Sequence, residues 1–239
     1  IIYIYMKNII NRLSDQIEKD VISIYRHLHQ YPELSFQEKE TSFFIEEILK
    51  KEGIPHSSRI GGYGILARIE GKKEGTHIIG LRADMDALPI EEKNQIEYRS
   101  KIPHVMHACG HDGHTTILLG AARYFAETRR FSGTLRLIFQ PAEEMINGGE
   151  IMVKEGLFDR FPCDVIFGMH NMPGLPVGKF FFQPGALMAS MDQFHITVRG
   201  CGGHGAIPHK AIDPVLVAAH ITTALQSICL LYTSDAADE

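Results

Sequence analysis

Residues Met106–His114 read Met-His-Ala-Cys-Gly-His-Asp-Gly-His, which puts one thiol and three imidazoles within nine residues. Imidazole nitrogen and thiolate sulfur are the ligands that borderline divalent metals prefer. Apolar residues at helical spacing predict a helix from Asp112 to about Thr128, so the stretch lies at the N-terminus of this predicted helix. The residue types and their position therefore predict a metal site.

Three further polar groups each come just after an apolar run that is typical of a β-strand. In chain order, the runs and the groups that follow them are His77–Leu81 with Asp84 and Asp86, Leu135–Phe139 with Glu143 and Glu144, and Val165–Phe167 with His170. In open α/β sheets the functional site forms at the carboxyl ends of the strands. We therefore expect Asp, Glu, Cys and His side chains to meet at one sheet edge, as in a metallohydrolase.

The alternation of strands and helices predicts an α/β fold with a mostly parallel central sheet and helices on its faces. Besides the elements above, the predicted elements are helices over Leu13–His29, Gln37–Glu52 and Gly148–Glu155 and a strand over Gly64–Ile69. A change of pattern after Pro184 predicts a second domain. There, alternating apolar residues predict an antiparallel strand over Phe194–Val198, and Asp213 is expected to cap a helix over Val215–Ile228.

The residues at both ends of the chain are expected not to belong to the natural protein. Met6 is expected to be the true start, with Ile1–Tyr5 translated from upstream sequence. Cys229–Glu239 resembles a translated transposon-type sequencing adapter, so the natural sequence is expected to continue differently from this point. The expected domains are thus 6–183 and 184–228, followed by a non-native tail.

The composition is that of a globular protein, with 44% hydrophobic and 22% charged residues. A formal net charge of -5 argues against nucleic acid or an anionic membrane as a partner. No apolar run approaches the ~20 residues that a membrane span requires. The four cysteines show no disulfide-type spacing, which favours a reducing, cytoplasmic location.

Cys109 and His111 are the strongest candidate ligands. Taken alone, each has a structural alternative, a buried free thiol and a hydrogen-bonded core histidine. Together, flanked by glycines at a helix start, they are better explained as metal ligands. A helix N-terminus also lowers the pKa of a thiol, so we expect Cys109 to give the thiolate readily. A Cys/His protease dyad is an alternative, but it leaves the acidic residues without a role.

The acidic residues admit both catalytic and structural interpretations. Glu143 and Glu144 are adjacent, so one can bind metal while the other acts as general base toward the attacking water. A solvated acidic pair is the alternative, and the position directly after a buried strand argues against it. One of Asp84 and Asp86 is expected to orient a ligand histidine, whereas an ordinary loop or cap role for Asp84 is equally compatible with the sequence.

Two later histidines are further candidates. His170 stands at a strand terminus, which favours a ligand over a core residue. His204 lies among four glycines that allow a close backbone approach, and it is either a polar residue of a lid over the site or a solvated turn residue. Other histidines near the motifs are interpreted as structural or as supports of ligands, namely His27, His29, His107 and His114.

Several stretches together resemble the M20 metallopeptidase family, and most closely its amidohydrolase branch of hippurate hydrolases and auxin-conjugate hydrolases. The stretches are Arg26–Ser35, Arg82–Pro89, Met106–His114, Phe139–Glu144, Met169–Asn171 and Gly202–His209. The resemblance implies a centre of two divalent ions (Mn, Zn, Co or Ni) in which Cys109 bridges both and Glu144 binds one. His111 and His170 would bind the other, with Glu143 as the general base.

The resemblance also implies the architecture and the reaction. A zinc-peptidase-like catalytic domain would be interrupted by a smaller α+β lid that dimerises, and this chain would hold only the first half of that lid. His204 would reach the partner subunit's active site, and a last histidine ligand would lie in a C-terminal segment that this chain lacks. The expected reaction is hydrolysis of the amide bond of an N-acyl-L-amino acid such as hippurate. A dipeptidase, an N-acetyl-diaminopimelate deacetylase and a non-catalytic metal-binding or dimerising module are the alternatives.

Overall fold

The structure, a computed structural model, describes residues 15–145, 147–188 and 194–238. The expected start at Met6 and the stretch before it lie outside these residues. In chain order the elements are helices α1 (Asp15–Gln30) and α2 (Lys39–Lys51), strands β1 (His56–Ile60), β2 (Gly64–Glu70) and β3 (Lys73–Asp84), helix α3 (His111–Thr128), strand β4 (Ser132–Gln140), helices α4 (Gly148–Lys154) and α5 (Leu157–Arg160), strand β5 (Val165–Gly168), and helix α6 (Pro214–Asp238). Each helix and strand predicted ahead of Pro184 is present, with shifted ends.

The five strands form one sheet in the order β1-β2-β4-β3-β5. β3 pairs in parallel with both β4 and β5, whereas β2 pairs antiparallel with β1 and with β4. Four strands therefore run in the same direction and β2 runs against them. This confirms the predicted α/β fold with a mostly parallel sheet. The short edge strand β1 is not predicted from the sequence, because His-Ser-Ser-Arg-Ile has no apolar alternation.

The sheet buries apolar side chains on both faces. Along β4, Leu137 and Phe139 belong to the cluster on the face of α2 and α3, which includes Ile45. Ile138, between them, belongs to the opposite cluster, which includes Met152 of α4. Side chains alternate between the two faces of a strand, so the continuous apolar run of β4 is the pattern of a strand that is covered on both sides.

The chain divides into two compact units, one that ends at Leu175 and one that begins at Pro176. The first unit contains the sheet and the helices α1 to α5, and the second contains α6. The domain boundary expected near Pro184 stays a prediction. Within the described ranges, no helix combines the length and the apolar character that crossing a membrane would need.

The second unit differs in part from the sequence prediction. Asp213 Oδ1 accepts the backbone N–H of Val215 at 2.9 Å, which confirms the predicted cap of α6. The predicted strand over Phe194–Val198 is wrong, because the described residues offer no segment that pairs with its backbone. A strand needs such a partner, and the nearest pairing is the isolated bridge between Cys201 and Ile212. Alternation of apolar residues alone therefore does not make a strand here.

Phe139 offers a test of the buried sheet. Its side chain is fully buried, so Phe139→Ala is expected to lower the free energy of unfolding by about 3–5 kcal/mol through lost burial and a residual cavity. Phe43 on α2 is 56% exposed. Phe43→Ala is therefore the matched control, expected to change stability by less than about 0.5 kcal/mol. Urea denaturation followed by circular dichroism measures both, and equal effects would contradict the assigned core.

Candidate metal centre

The carboxyl ends of β3, β4 and β5 lie side by side at one edge of the sheet. In the parallel register, Asp84 at the end of β3 is paired with Gln140 at the end of β4. On the other side of β3, Arg82 is paired with Gly168 at the end of β5. The loops that follow these strands therefore begin next to one another. They carry the acidic groups and the histidine that the sequence predicts for the site.

Gly110 lets the start of α3 approach the segment after β5. Its φ is +89°, and a Cβ atom built at this position would lie 2.4 Å from Asn171 Oδ1. A side chain here would be strained at this φ and would displace the Asn171 side chain, so the position favours glycine. The close approach places Cys109 Sγ 3.4 Å from His170 Nε2. A turn of this kind brings a thiol and an imidazole from distant parts of the chain together.

Three overlapping groups of side chains bring potential ligand atoms within 4.8 Å of one another. The groups are Cys109 with His111 and His170, Asp84 with His111 and His114, and His111 with Glu143 and Glu144. His111 is common to all three. Its Nε2 atom lies 3.7 Å from Glu144 Oε1 and 3.8 Å from Glu143 Oε2. The structure therefore brings together five of the six predicted site residues.

Two buried ligand atoms of this cluster have no hydrogen-bond partner among the described residues. They are His111 Nε2 and Glu144 Oε1. His111 Nδ1 donates to Asp86 Oδ1 at 3.1 Å, which leaves the lone pair of Nε2 for a metal. An unpaired buried polar atom costs about 1–3 kcal/mol, and a cation between the two atoms would bind both. Since thiol, imidazole and carboxylate suit divalent transition metals, these residues fit a divalent-metal centre.

Asp86 connects the ligand histidine to the acidic loop. Besides the bond from His111, its Oδ2 accepts the Ser35 hydroxyl at 2.7 Å and the backbone N–H of Glu144 at 3.0 Å. Burial opposes its charge, but these donors outweigh burial and lower the pKa of Asp86. Asp86 therefore holds the ring of His111, and its role as the aspartate that orients a ligand histidine stays a prediction.

Asp84 is held ionised by cationic and histidine neighbours. Arg82 Nη1 donates to Asp84 Oδ2 at 2.7 Å, and His114 Nδ1 donates to Oδ1 at 2.6 Å. Burial opposes the charge, yet the bond from His114 and the charge of Arg82 prevail and lower the pKa of Asp84 to about 2. Asp84 is buried at the end of β3, so it is neither a loop residue nor a helix cap.

The protein groups alone do not prepare Cys109 as a thiolate. Burial, together with the carboxylates of Glu144 and Glu143, raises the pKa of the Cys109 thiol to about 12. The expectation of a lowered pKa is therefore wrong for these groups, because burial and nearby negative charge outweigh the partial charge of the helix end. Deprotonation is expected to accompany metal binding, since a thiol ligand releases its proton to the solvent.

His114 and Asn171 support the cluster. His114 Nε2 accepts the backbone N–H of Asn171 at 3.0 Å, so with the bond to Asp84 both ring nitrogens are used. This agrees with the supporting role predicted for His114. Asn171 and Ser35 are not identified from the sequence, because single polar residues in loops have no periodic signal. For His114 a signal exists, since it lies three residues after His111 on one helix face.

His204 lies in the second unit, where it takes part in a local turn. The backbone N–H of Ala206 donates to His204 Nδ1 at 3.1 Å, and the N–H of Ile207 donates to the carbonyl of His204 at 2.8 Å. The residue is exposed. The structure thus places His204 in a solvated turn, and its role toward a partner subunit stays a prediction.

Comparison with known proteins decides the family. The profile described as peptidase family M20/M25/M40 matches residues 80–235, more than half of the chain. The chain belongs to the M20 peptidase family. This M20 chain is 46% identical to an N-acyl-L-amino acid amidohydrolase of Geobacillus stearothermophilus, covering 95% of the chain and 61% of that protein. It is 45% identical to a hippurate hydrolase of Campylobacter jejuni, covering 92% of the chain and 57% of that protein.

A crystal structure of a relative shows the same fold. The Bacillus subtilis YXEP protein, a dinuclear metal-binding peptidase of the M20 family, matches with a TM-score of 0.65 and 41% identity. The match covers 69% of this M20 chain and 46% of that chain. The M20 chain therefore spans between 46% and 61% of the length of these three relatives. The family resemblance predicted from the motifs is confirmed.

Replacing Cys109 tests the bridge of the proposed centre. In the full-length protein, Cys109→Ser exchanges a soft thiolate for a weakly acidic hydroxyl, so the metal content should fall below two ions per chain. Cys163 is also free and half-buried but follows α5, away from the ligand cluster. Cys163→Ser is thus the matched control and should keep the wild-type content. Elemental analysis measures both, and two metals per chain in Cys109→Ser would exclude Cys109 as the bridging ligand.

Proposed function

We propose that the full-length protein hydrolyses the amide bond of N-acyl-L-amino acids such as hippurate, releasing a carboxylic acid and a free amino acid. The observation that carries this proposal is a second carboxylate, Glu143, at a cluster whose ligand atoms come from Cys109, His111, Glu144 and His170. The similarity to an N-acyl-L-amino acid amidohydrolase and to a hippurate hydrolase supports the substrate class.

The proposed cofactor is a pair of divalent ions. Cys109 would bridge both ions and Glu144 would complete the site of one. His111 and His170 would hold the other. Mn²⁺, Zn²⁺, Co²⁺ and Ni²⁺ are all compatible with such a mixed donor set. Polarisation of the acyl carbonyl and acidification of the attacking water are the chemistry that these ions supply when bound.

Glu143 is the proposed general base. Its side chain is 39% exposed, so substrate and water can reach it, and Oε2 lies 3.8 Å from His111 Nε2. Burial, opposed by His111 and reinforced by Asp84, raises the pKa of Glu143 above its usual range. A carboxylate of raised pKa accepts a proton from water more readily near neutral pH. Glu143 would then pass this proton to the nitrogen of the leaving amino acid.

Two alternatives share the site and one does not. A dipeptidase and an N-acetyl-diaminopimelate deacetylase would use the same ligands and the same base. A non-catalytic metal-binding or dimerising module has no need of a carboxylate beside Glu144. The retention of Glu143 within reach of the ligand cluster therefore favours an enzyme.

The proposed setting is a cytoplasmic homodimer that acts on small molecules, without nucleic acid or membrane as a partner. The described cysteines Cys109, Cys163 and Cys201 are free, as expected in a reducing compartment. The dimer would form through the lid domain, and His204 would act in the site of the neighbouring subunit.

Hydrolysis assays test the proposal. The full-length protein, loaded in turn with Mn²⁺, Zn²⁺ and Co²⁺, is supplied with acetyl-, benzoyl- and indoleacetyl-amino acids, with dipeptides and with N-acetyl-diaminopimelate. Preferred turnover of an N-acyl amino acid is expected. Turnover of dipeptides alone would favour the dipeptidase, and metal binding without any turnover would favour the non-catalytic module.

Glu143→Gln isolates the proton-transfer role. The amide cannot accept the proton, so kcat should fall at least about 10²-fold, the effect typical of a lost general base. The metal content should stay at the wild-type value, since Glu143 is not a proposed ligand. Glu74 is exposed at the opposite end of β3, and Glu74→Gln is the control expected to leave kcat unchanged. Near-normal turnover by Glu143→Gln would refute the assignment.

His204 is tested by mixing two full-length variants. His204→Ala should lower kcat more than it raises KM, because the proposed hydrogen bond acts in the transition state. Mixed with Glu143→Gln, it should recover part of the wild-type activity, since one site of a mixed dimer then has both an intact base and an intact partner histidine.

The control mixture combines His204→Ala with the double variant that carries both substitutions, in which no site is complete. This mixture should stay inactive. If subunits exchange, as shown by mass spectrometry, and the first mixture also stays at the single-variant level, His204 does not act across the interface.

A further inference from the structure

Glu38 is a buried carboxyl whose side chain is not used by its own helix. It occupies the N-cap position of α2, yet its side chain makes no capping hydrogen bond there. The residue is 0% exposed. Its Oε1 instead accepts the backbone N–H of Ala142 at 2.7 Å, across 104 positions of sequence. An acidic side chain at a helix start normally binds the first N–H groups of that helix, so this contact calls for another explanation.

Ala142 has a backbone conformation that needs support. Its φ is +50°, in the left-handed region that residues with a Cβ atom rarely adopt. Ala142 is also fully buried. Its N–H is bound by Glu38, and its carbonyl accepts the N–H of Gly148 at 3.2 Å. Such a conformation persists only where the surrounding structure holds it, and here both polar groups of the residue are held.

The turn at Ala142 directly precedes the proposed base and one proposed ligand. The N–H of Glu144 is bound by Asp86, so two buried carboxylates hold the backbone on either side of Glu143. Asp86 in turn accepts the hydroxyl of Ser35, three residues before Glu38. The short segment from Ser35 to Glu38 therefore supports the acidic loop at two points.

We propose that Glu38 is a positioning residue, whose carboxylate fixes the left-handed turn at Ala142 and thereby places the carboxylates of Glu143 and Glu144 beside His111, so that one can face the reacting atoms and the other the metal. The roles of Glu143 and Glu144 rest on the proposed function. The hydrogen bond and its effect on the turn do not.

Two substitutions of Glu38 separate the effect of side-chain length from the effect of side-chain charge. Glu38→Gln keeps the length of the side chain and an oxygen that can accept the N–H of Ala142. Glu38→Asp keeps the carboxylate but is one methylene shorter and cannot reach that N–H without movement of the backbone. Burial raises the pKa of Glu38 to about 7, although the backbone N–H groups of Glu38, Ala142 and Phe36 favour the carboxylate. Thr41→Val is the control, since Thr41 is buried on the same helix and its hydroxyl has no described partner.

The first measurement is amide hydrogen exchange in the full-length protein, by mass spectrometry with electron-transfer fragmentation. The hydrogen-exchange rate of the Ala142 amide should rise by at least about tenfold in Glu38→Asp, because this amide loses its hydrogen-bond acceptor. Glu38→Gln and Thr41→Val should match the wild type. Amides of β4 should be unchanged in all variants, which separates a local loss from general destabilisation.

The second measurement is the division of the effect between kcat and KM. Glu38→Asp should lower kcat by up to about 10²-fold, because a displacement of a catalytic group by about 1 Å lowers the reaction rate by about this factor. Its KM should change little, and Glu38→Gln should restore kcat. Loss of kcat by both variants to the same extent would overturn the proposal, and so would wild-type exchange at Ala142 in a folded Glu38→Asp.

Two further outcomes are distinguishable. If the wild type hydrolyses none of the substrates, the proposed function fails, and the contrast in exchange at Ala142 still decides the role of Glu38. If Glu38→Asp does not fold, Glu38→Gln decides alone. Wild-type exchange and kcat in Glu38→Gln support the proposal, whereas a loss of about tenfold in either contradicts it.

Discussion

The parallel pairing of β3 with β4 and β5 is the constraint on which the candidate site depends. Parallel neighbours cannot be joined by a hairpin, so the chain must return through a crossover each time. Helix α3 returns it from β3 to β4, and α4 with α5 returns it from β4 to β5 on the other side of β3. Because all three strands end at the same edge, the residues that follow each of them are neighbours in space. His111 joins them, since the crossover helix it begins must start at that edge.

Crowding at this edge has an electrostatic consequence. Asp84, Asp86, Glu143 and Glu144 converge on His111. Burial, reinforced by the negative charge of Glu144, Glu143 and Asp84, raises the pKa of Cys109 to about 12. His111 offsets part of this negative charge. Burial opposes a charge on His111, but the hydrogen bond to Asp86 and the nearby carboxylates outweigh burial and raise its pKa. Bound cations would relieve repulsion among the remaining carboxylates, so metal binding would stabilise the folded state of this edge.

The strand ends and the clustered side chains that follow them were predictable from the sequence, because an apolar run, its end and the next polar residue all lie within a few positions. Features that depend on distant partners were not. Phe194–Val198 has the alternation of a strand but no described neighbour to pair with, and β1 pairs with β2 without an apolar pattern. The pKa of Cys109 depends on carboxylates that the sequence places 34 and 35 positions away. The hydrogen bond between Glu38 and Ala142 spans a still longer separation in sequence, and no local sequence pattern indicates it.

The start of α3 is held by the same kind of buried polar contact as the acidic loop. His29 Nδ1 lies 2.6 Å from Asp112 Oδ2, and its Nε2 lies 3.1 Å from Glu92 Oε1. Only the doubly protonated ring donates to both carboxylates. The bond to Asp112 raises the pKa of His29 against the opposing effect of burial, in agreement with that state. Asp112 follows His111 in the first turn of α3, so this buried ion pair fixes the helix end from which His111 projects. His29, which the sequence analysis interprets as structural or as a support of a ligand, thus holds the backbone next to His111 through contacts that the His111 side chain itself does not make.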